Sequence, residues 1–545
     1  MGASDRGDVR EASRAGGHWR ALVVLGTAQF LMVLDTSVMN VSISQLVKDF
    51  HTEVTAIQAV ITLYTLVMAA FMITGGKLGD MIGRRRVFAV GLVVYGTGSL
   101  ITSVAPTLAV LAVGWSVIEG LGAALVLPAL AALVAGTYRG RDRAVAYGVV
   151  GGLAGAGIAV GPLLGGWVTT YLTWRLVFAG EVVVVVAMLA VLRWIPQDPP
   201  RTGPRPRLDT VGALLSVAGL ALVVLGVLQS GSWGWLRPRN PPFTIFGFSP
   251  TVFVIAAGCV LLFLFRAWER HEEEHGATPL VRFAVLRVPP LRSGLAMLLA
   301  QNLILLGLFF TIPLYLQVVQ GFDAFQTGLR LLPVSATMLV SAMSGPLLGR
   351  FAAPRTVVRI ALLVLLIAIV WLLGTVQPRI DDVSFAFAMA FLGLGMGLLA
   401  SQLGNVVQSS VEESARSEVG GLQYTAQNLG SSLGTALIGS LLIGALAAAF
   451  TTQIEGDPAI SAATRQQAGI ALEAGISFVS ANQVRAGAEK AGVPAAETDA
   501  VVHAYSQAQL NALKAAILAT GVITLAGFAF TRHLPTDRLA AKDPG

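Results

Sequence analysis

Apolar residues fall in blocks of about twenty along almost the whole chain, separated by short polar stretches, which is the length a helix needs to cross a bilayer. Spans are predicted to begin near Ala21, Ala56, Val87, Leu108, Ala144 and Leu176. A proline- and arginine-rich break, Arg193 to Arg207, follows. Two more spans begin near Val211 and Pro250, before a charged stretch from Arg266 to Arg292. Six further spans begin near Ser293, Thr327, Val357, Val383, Val419 and Gln509. The pattern predicts an all-α polytopic membrane protein of fourteen spans, grouped six, two and six. Its segments are a tail over 1–20, a first set over 21–194, linkers with two extra spans over 195–292, a second set over 293–531 and a tail over 532–545. One alanine-rich polar segment, 451–508, interrupts the last two spans. It is expected to form amphipathic helices outside the bilayer or to stay a solvated loop.

Composition strengthens this reading. The 545 residues are 55% hydrophobic and only 12% charged, about half the charge of a soluble domain, and mean hydropathy is +0.73. The net charge of +7 has no basic patch with interleaved aromatics, so nucleic acid is excluded as a partner. The arginines instead follow even-numbered spans: Arg84 to Arg86, Arg139 to Arg143, Arg193 to Arg207, Arg266 to Arg287 and Arg350 to Arg359. Basic loops stay in the cytoplasm, so both termini are expected there, in the plasma membrane. The excess of arginine over lysine points to a bacterial source. The single cysteine, Cys259, rules out an intrachain disulfide and a cysteine-based metal site. The first apolar run is too long for a signal peptide and is read as a retained helix. His271-Glu272-Glu273-Glu274-His275 matches a zinc-protease pattern, but it lies in a charged loop and reads as a solvated charge run. No metal, cofactor or enzyme activity is predicted.

Three acids stand where lipid should forbid them, since an intramembrane carboxylate costs about 2.5–3.5 kcal/mol to insert. Asp35 lies ~21 Å into span 1 at 1.5 Å per residue, Glu119 near the middle of span 4, and Glu181 in the outer part of span 6. No arginine in those spans is placed to neutralise them. Loss of water disfavours the charged form, so such acids can exchange protons or attract a cation. They can equally be hydrogen-bonded fasteners between helices.

Gly157, Gly161 and Gly165 share one helix face, beside Pro162 and Gly166, and small faces let helices approach closely. Gly76, Asp80, Gly83 and Arg84 mark the tight loop between spans 2 and 3, where Asp80 and the arginines can latch neighbouring helices; topology alone would explain the arginines but not Asp80 or the glycines. Polar side chains recur within spans: Asn40, Gln301, Asn302, Tyr315, Gln317, Gln402, Asn405, Tyr424, Gln427 and Asn428. Such groups line a cavity or bond between helices.

These motifs resemble the major facilitator superfamily, in its fourteen-span drug:proton antiporter branch. Leu34-Asp35-Thr36-Ser37-Val38-Met39-Asn40-Val41 is similar to that branch's first-helix motif. Gly76 to Arg86 resembles the superfamily's signature loop, and Gly345 to Arg350 resembles a degraded copy. Gly157-x-x-x-Gly161-Pro162-x-x-Gly165-Gly166 resembles the fifth-helix antiporter motif. Two departures stand out. Where the fourth-helix motif carries arginine and glutamine, this chain has Ser116 and Glu119. Where an asparagine is expected in span 6, it has Glu181.

The resemblance implies two six-helix bundles plus two extra helices, working as a monomer by alternating access. It implies export of amphiphilic, cationic drugs or related small molecules in exchange for protons. Asp35, Glu119 and Glu181 are then the proton or cation sites, and the Gly157 to Gly165 face packs at the moving interface. An exported lipid, antibiotic or other endogenous metabolite is a second expectation. A non-transporting sensor or scaffold is a third.

Overall fold

A computed structural model describes residues 4–138, 140–197, 209–239, 241–275, 279–344, 348, 351–411, 416–474 and 477–536, with side chains from residue 19 onward except at 80, 140, 141, 143–145, 147, 148, 159, 416–418 and 469–474. All regular elements among them are helical. The first half comprises α1 (Ser4–Val41), the short α2 (Ile43–Asp49), α3 (Val54–Ile82), α4 (Arg84–Ser103), α5 (Leu108–Thr137), α6 (Gly140–Tyr171) and α7 (Arg175–Ala190). Then come α8 (Thr210–Trp233) and α9 (Pro250–Glu274). The second half holds α10 (Pro289–Val319), α11 (Ala324–Met343), α12 (Pro354–Thr375), α13 (Asp382–Ser409) and α14 (Arg416–Gly456). It ends with α15 (Ala462–Ala474), α16 (Ala481–Lys490) and α17 (Ala495–Phe530).

Twelve of these helices are long and apolar enough to cross a membrane. Two of the fourteen expected spans fall short, for different reasons. The helix α7 has only 16 residues. The helix α11 has 20, but Gln326, Arg330, Thr327, Ser335, Thr337 and Ser341 lower its hydropathy. Both pack as the other rods do, α7 against α4 and α11 against α6 and α13.

Two turns shape the first half. Gly83 ends α3 and starts α4 with φ of 104°, its N–H bonded to Gly79 at 3.1 Å. A side chain is strained in that conformation, so the signature loop is one residue wide. Arg84 then donates to the carbonyl of Ala132 on α5 at 3.1 Å. The side chain of Asp80 and residues 345–347, 349 and 350 of the degraded second loop lie outside the described residues. In α5, residues Ala112–Glu119 form a π-helical turn, a feature that frequently marks functional sites.

The two halves meet on the face away from the chain termini. Gln317 on α10 donates to the carbonyl of Val41 at 2.7 Å and accepts from the N–H of Ser44 at 3.3 Å. Gln58 on α3 donates to the carbonyl of Thr435 on α14 at 2.9 Å. The N–H of Phe325 donates to Thr170 at 3.0 Å. Pairs α3–α14 and α6–α11 carry most of this contact, while α8 leans on α14 and α3 and α9 packs on α8.

The segment between the last two spans is folded. The helices α14 and α17 run on past the apolar region, and α15 and α16 bridge them, α16 opening with a capping box from Ser480 and Gln483. Tyr505 donates to the carbonyl of Ser477 and accepts from the N–H of Val479 at 3.1 Å. Gln509 donates to the carbonyl of Val479 at 2.7 Å. Replacing Tyr505 by Phe leaves two backbone groups unpaired, at about 1–3 kcal/mol where they stay buried. Hydrogen exchange at 477–480 is expected to accelerate while α10 to α13 keep wild-type protection; unchanged exchange there would contradict the role given to Tyr505.

Candidate functional site

The three intramembrane acids converge. One carboxyl oxygen each from Asp35 (α1), Glu119 (α5) and Glu181 (α7) lie within 4.8 Å of one another. Asp35 and Glu119 are wholly buried and Glu181 is 2% exposed. The indole N–H of Trp115 sits 2.9 Å from both oxygens of Asp35, and Trp115 stacks on Tyr64 with centroids 4.5 Å apart. Ser99 and Tyr95, one turn apart on α4, donate to Oε2 of Glu181 at 3.0 and 3.4 Å. Neither oxygen of Glu119 has a hydrogen-bond partner, nor does Oε1 of Glu181. The π turn carries both Trp115 and Glu119, so it sets the donor and the bare acid of the cluster from one element.

No base enters this chamber among the described residues. Arg175, the nearest in sequence to Glu181, pairs with Asp49 at 3.5 Å and donates to the carbonyl of Ala105. Ser116 donates to the carbonyl of Val60 at 2.7 Å. Two carboxylates this close repel by about 3 kcal/mol at an effective dielectric of ~20. A proton or a small cation shared among them removes that repulsion. The acids are buried among α1, α4, α5 and α7, within the first half.

The antiporter motif divides its contacts. A Cβ on Gly157 would stand 3.0 Å from the carbonyl of Phe30, one on Gly161 would strike Ser37, and one on Gly165 would meet Val38 at 2.8 Å. That face packs on α1, inside the first half and on either side of Asp35, rather than on the second half. The contact with the second half is made by Pro162 and Gly166: a Cβ on Gly166 would strike the carbonyl of Ala324, and one on Gly328 of α11 the carbonyl of Pro162. A Cβ on Gly76 would stand 3.6 Å from the side chain of Pro128, in the α3–α5 packing.

The polar residues expected in a cavity separate into two groups. Gln301 bonds to the carbonyl of Met396, Tyr315 to those of Gln377 and Thr375, Gln402 to Ser401, and Gln317 crosses between halves. All but Gln402, whose partner is its neighbour on α13, are fasteners between segments. Asn40 is also buried, bonded to the carbonyl of Thr36. Asn302, Tyr424, Gln427 and Asn428 are half-buried and Asn405 is exposed; Asn428 lies 3.6 Å from the sulfur of Met72 across the boundary. The rings of His271 and His275 lie 4.1 Å apart, tilted by 45°, at the end of α9, and the acids are the one group of three possible metal ligands among the described residues. Sequence reasoning missed Trp115, Tyr64, Tyr95 and Ser99. The spacing Trp115–Glu119 and Tyr95–Ser99, one turn each, was the signal.

A bundle of membrane-length helices in two halves, fastened on one side and holding buried acids, fits a membrane transporter. The chain belongs to the Major Facilitator Superfamily, whose family model matches residues 25–435. It is 33% identical over 439 residues to the puromycin resistance protein pur8 of Streptomyces alboniger, covering 79% of this chain and 83% of that one. It is 32% identical to the cephamycin export protein CmcT of Amycolatopsis lactamdurans, over 80% and 87% of the two chains. It is 26% identical to the multidrug resistance protein Stp of Mycobacterium tuberculosis, over 80% and 78%. Among solved structures, a bacterial homolog of the human lysosomal transporter Spinster superposes with a TM-score of 0.60 at 15% identity, over 96% and 99% of the chains. That likeness concerns the fold.

Proposed function

We propose that this transporter exports amphiphilic antibiotics and related drugs across the plasma membrane of a bacterium, with both termini in the cytoplasm, in exchange for protons. The observation that carries the proton is the sealed cluster of Asp35, Glu119 and Glu181, with three unpartnered carboxyl oxygens. The proton site and the cargo site are separate in this reading. Protons load the acids inside the first half, and cargo binds between the halves near Asn302, Asn405, Gln427 and Asn428. The link is α1, which holds Asp35 and packs against the glycine face of α6, whose other side abuts α11. Because cargo does not touch the acids, the cluster gives no reason to require a positive charge on it. Export as the direction of transport is supported by the relatives named for resistance and export.

The test uses a bacterial strain stripped of its own efflux pumps, with and without this gene, against a panel that includes puromycin, a cephamycin, a polyketide antibiotic and cationic dyes. Resistance to at least one member, lost on collapse of the pH gradient, is expected. Equal susceptibility across the panel would refute drug export; resistance that survives collapse of the proton gradient would refute the coupling.

A further inference from the structure

We propose a second binding site on the face that carries the chain termini, built for the phosphate headgroup of an anionic membrane lipid. Four arginines line a cavity of about 560 Å³ there: Arg266 and Arg270 from the end of α9, Arg287 from the connection that follows and Arg292 from the start of α10. The cavity lies within the range of about 300–1,000 Å³ that ligand pockets span. Phe283 and Leu286 supply its apolar wall, and Glu273 and Glu274 also border it. All four guanidinium side chains are exposed, and none forms an ion pair among the described residues.

Topology alone accounts for basic residues on this face. It does not account for arginines from separate segments facing one cavity. Arg266 and Arg270 are a helical turn apart on α9, while Arg287 and Arg292 arrive after the chain has turned back toward α10. Four cations against two carboxylates leave a net of two positive charges around one space. Arginine binds phosphate oxygens in a bidentate fork.

The neighbouring surface points to a lipid as the source of that phosphate. The span of α9 is the least buried of the candidate membrane helices, at 17%. Val260, Phe263 and Leu264, just before Arg266, are 56%, 67% and 45% exposed. An acyl chain can run along them while its headgroup enters the cavity. A free phosphate would have no use for that apolar approach. Basic pockets beside membrane helices bind anionic headgroups for these reasons.

The experiment uses the full-length transporter, exchanged from detergent into nanodiscs of phosphatidylcholine with or without phosphatidylglycerol, and native mass spectrometry of the retained lipids. Wild type is expected to retain phosphatidylglycerol in preference to phosphatidylcholine. Arg266→Gln with Arg287→Gln is expected to weaken retention about thirtyfold, and Glu273→Gln to tighten it about fivefold, at roughly 1 kcal/mol per charge near a membrane surface. Arg379→Gln, in the loop between α12 and α13 on the opposite face, is expected to change nothing. Thermal unfolding checks that each variant is folded, and the single Arg266→Gln and Arg287→Gln variants, each expected weaker, replace the double one if it is not. Equal retention of the two lipids, or wild-type retention in the arginine variants, overturns the proposal. Displacement of the lipid by millimolar inorganic phosphate overturns the lipid as its occupant.

Discussion

Asp35→Asn combined with Glu119→Gln is expected to cut pH-gradient-driven export severely while leaving carrier-mediated exchange of the same drug in place. Both changes keep shape. An asparagine in place of Asp35 would still accept from the Trp115 indole through its amide oxygen, so the fork at 2.9 Å loses one arm and not its position. A glutamine in place of Glu119 would enter a space where the glutamate already lacks any partner. What disappears is the pair of groups able to gain and lose a proton. Coupling between two sites amounts to about 1–3 kcal/mol, a factor of roughly 5–150. Gradient-driven accumulation in proteoliposomes should therefore fall by about 5- to 150-fold. Counterflow, which needs only the alternation of the two halves, should stay within about twofold, since the changed groups lie away from the cargo path. A merely structural role for the acids would depress both readouts together. Undiminished coupled export in the double variant would remove the cluster from the mechanism.

Gly328→Val carries the second large effect. The α-carbon of Gly328 lies so close to the carbonyl of Pro162 that an added Cβ strikes backbone on both its oxygen and carbon. Backbone cannot rotate aside as a side chain can. The two halves must separate along α6–α11, at an overpacking cost of about 1–3 kcal/mol. That cost falls on the state in which the face away from the termini is closed, where Gln317 also bridges to Val41 and Ser44. The population should move toward the opposite state by roughly tenfold for each ~1.4 kcal/mol. Transport should fall accordingly. Thiol labelling of a cysteine placed at Ser44, in a chain whose Cys259 is replaced, should speed up by a similar factor. Unchanged labelling with unchanged transport would mean that this contact is not part of the moving boundary. Gly161→Ala supplies the contrast, because its clash is with Ser37 inside the first half and should lower stability rather than shift that equilibrium.

Hydropathy marked twelve helices, because a bilayer demands a long apolar stretch for each crossing, while α7 and α11, one short and the other polar, are held among them by packing. It also located the acids, since a carboxylate inside such a stretch is conspicuous whatever surrounds it. The glycines of α6 announced a close approach, and the residue-wide turn at Gly83 needed the backbone freedom that only glycine has. Spacing along the chain could say no more than that, because it does not tell which neighbour a face meets. Tertiary packing decided that Asp35, Glu119 and Glu181 share one chamber, although they stand on three helices far apart in sequence. It decided that Trp115 and Ser99 complete the chamber, and that Gln301 and Tyr315 fasten helices while Asn405 stays open. It also moved the glycine face of α6 from the boundary between halves to the wall behind Asp35, leaving Pro162, Gly166 and Gly328 at that boundary. The physical reason is the same in each case. A membrane fixes where a helix lies in depth, but its rotation and its neighbours come from side-chain packing among all the helices at once.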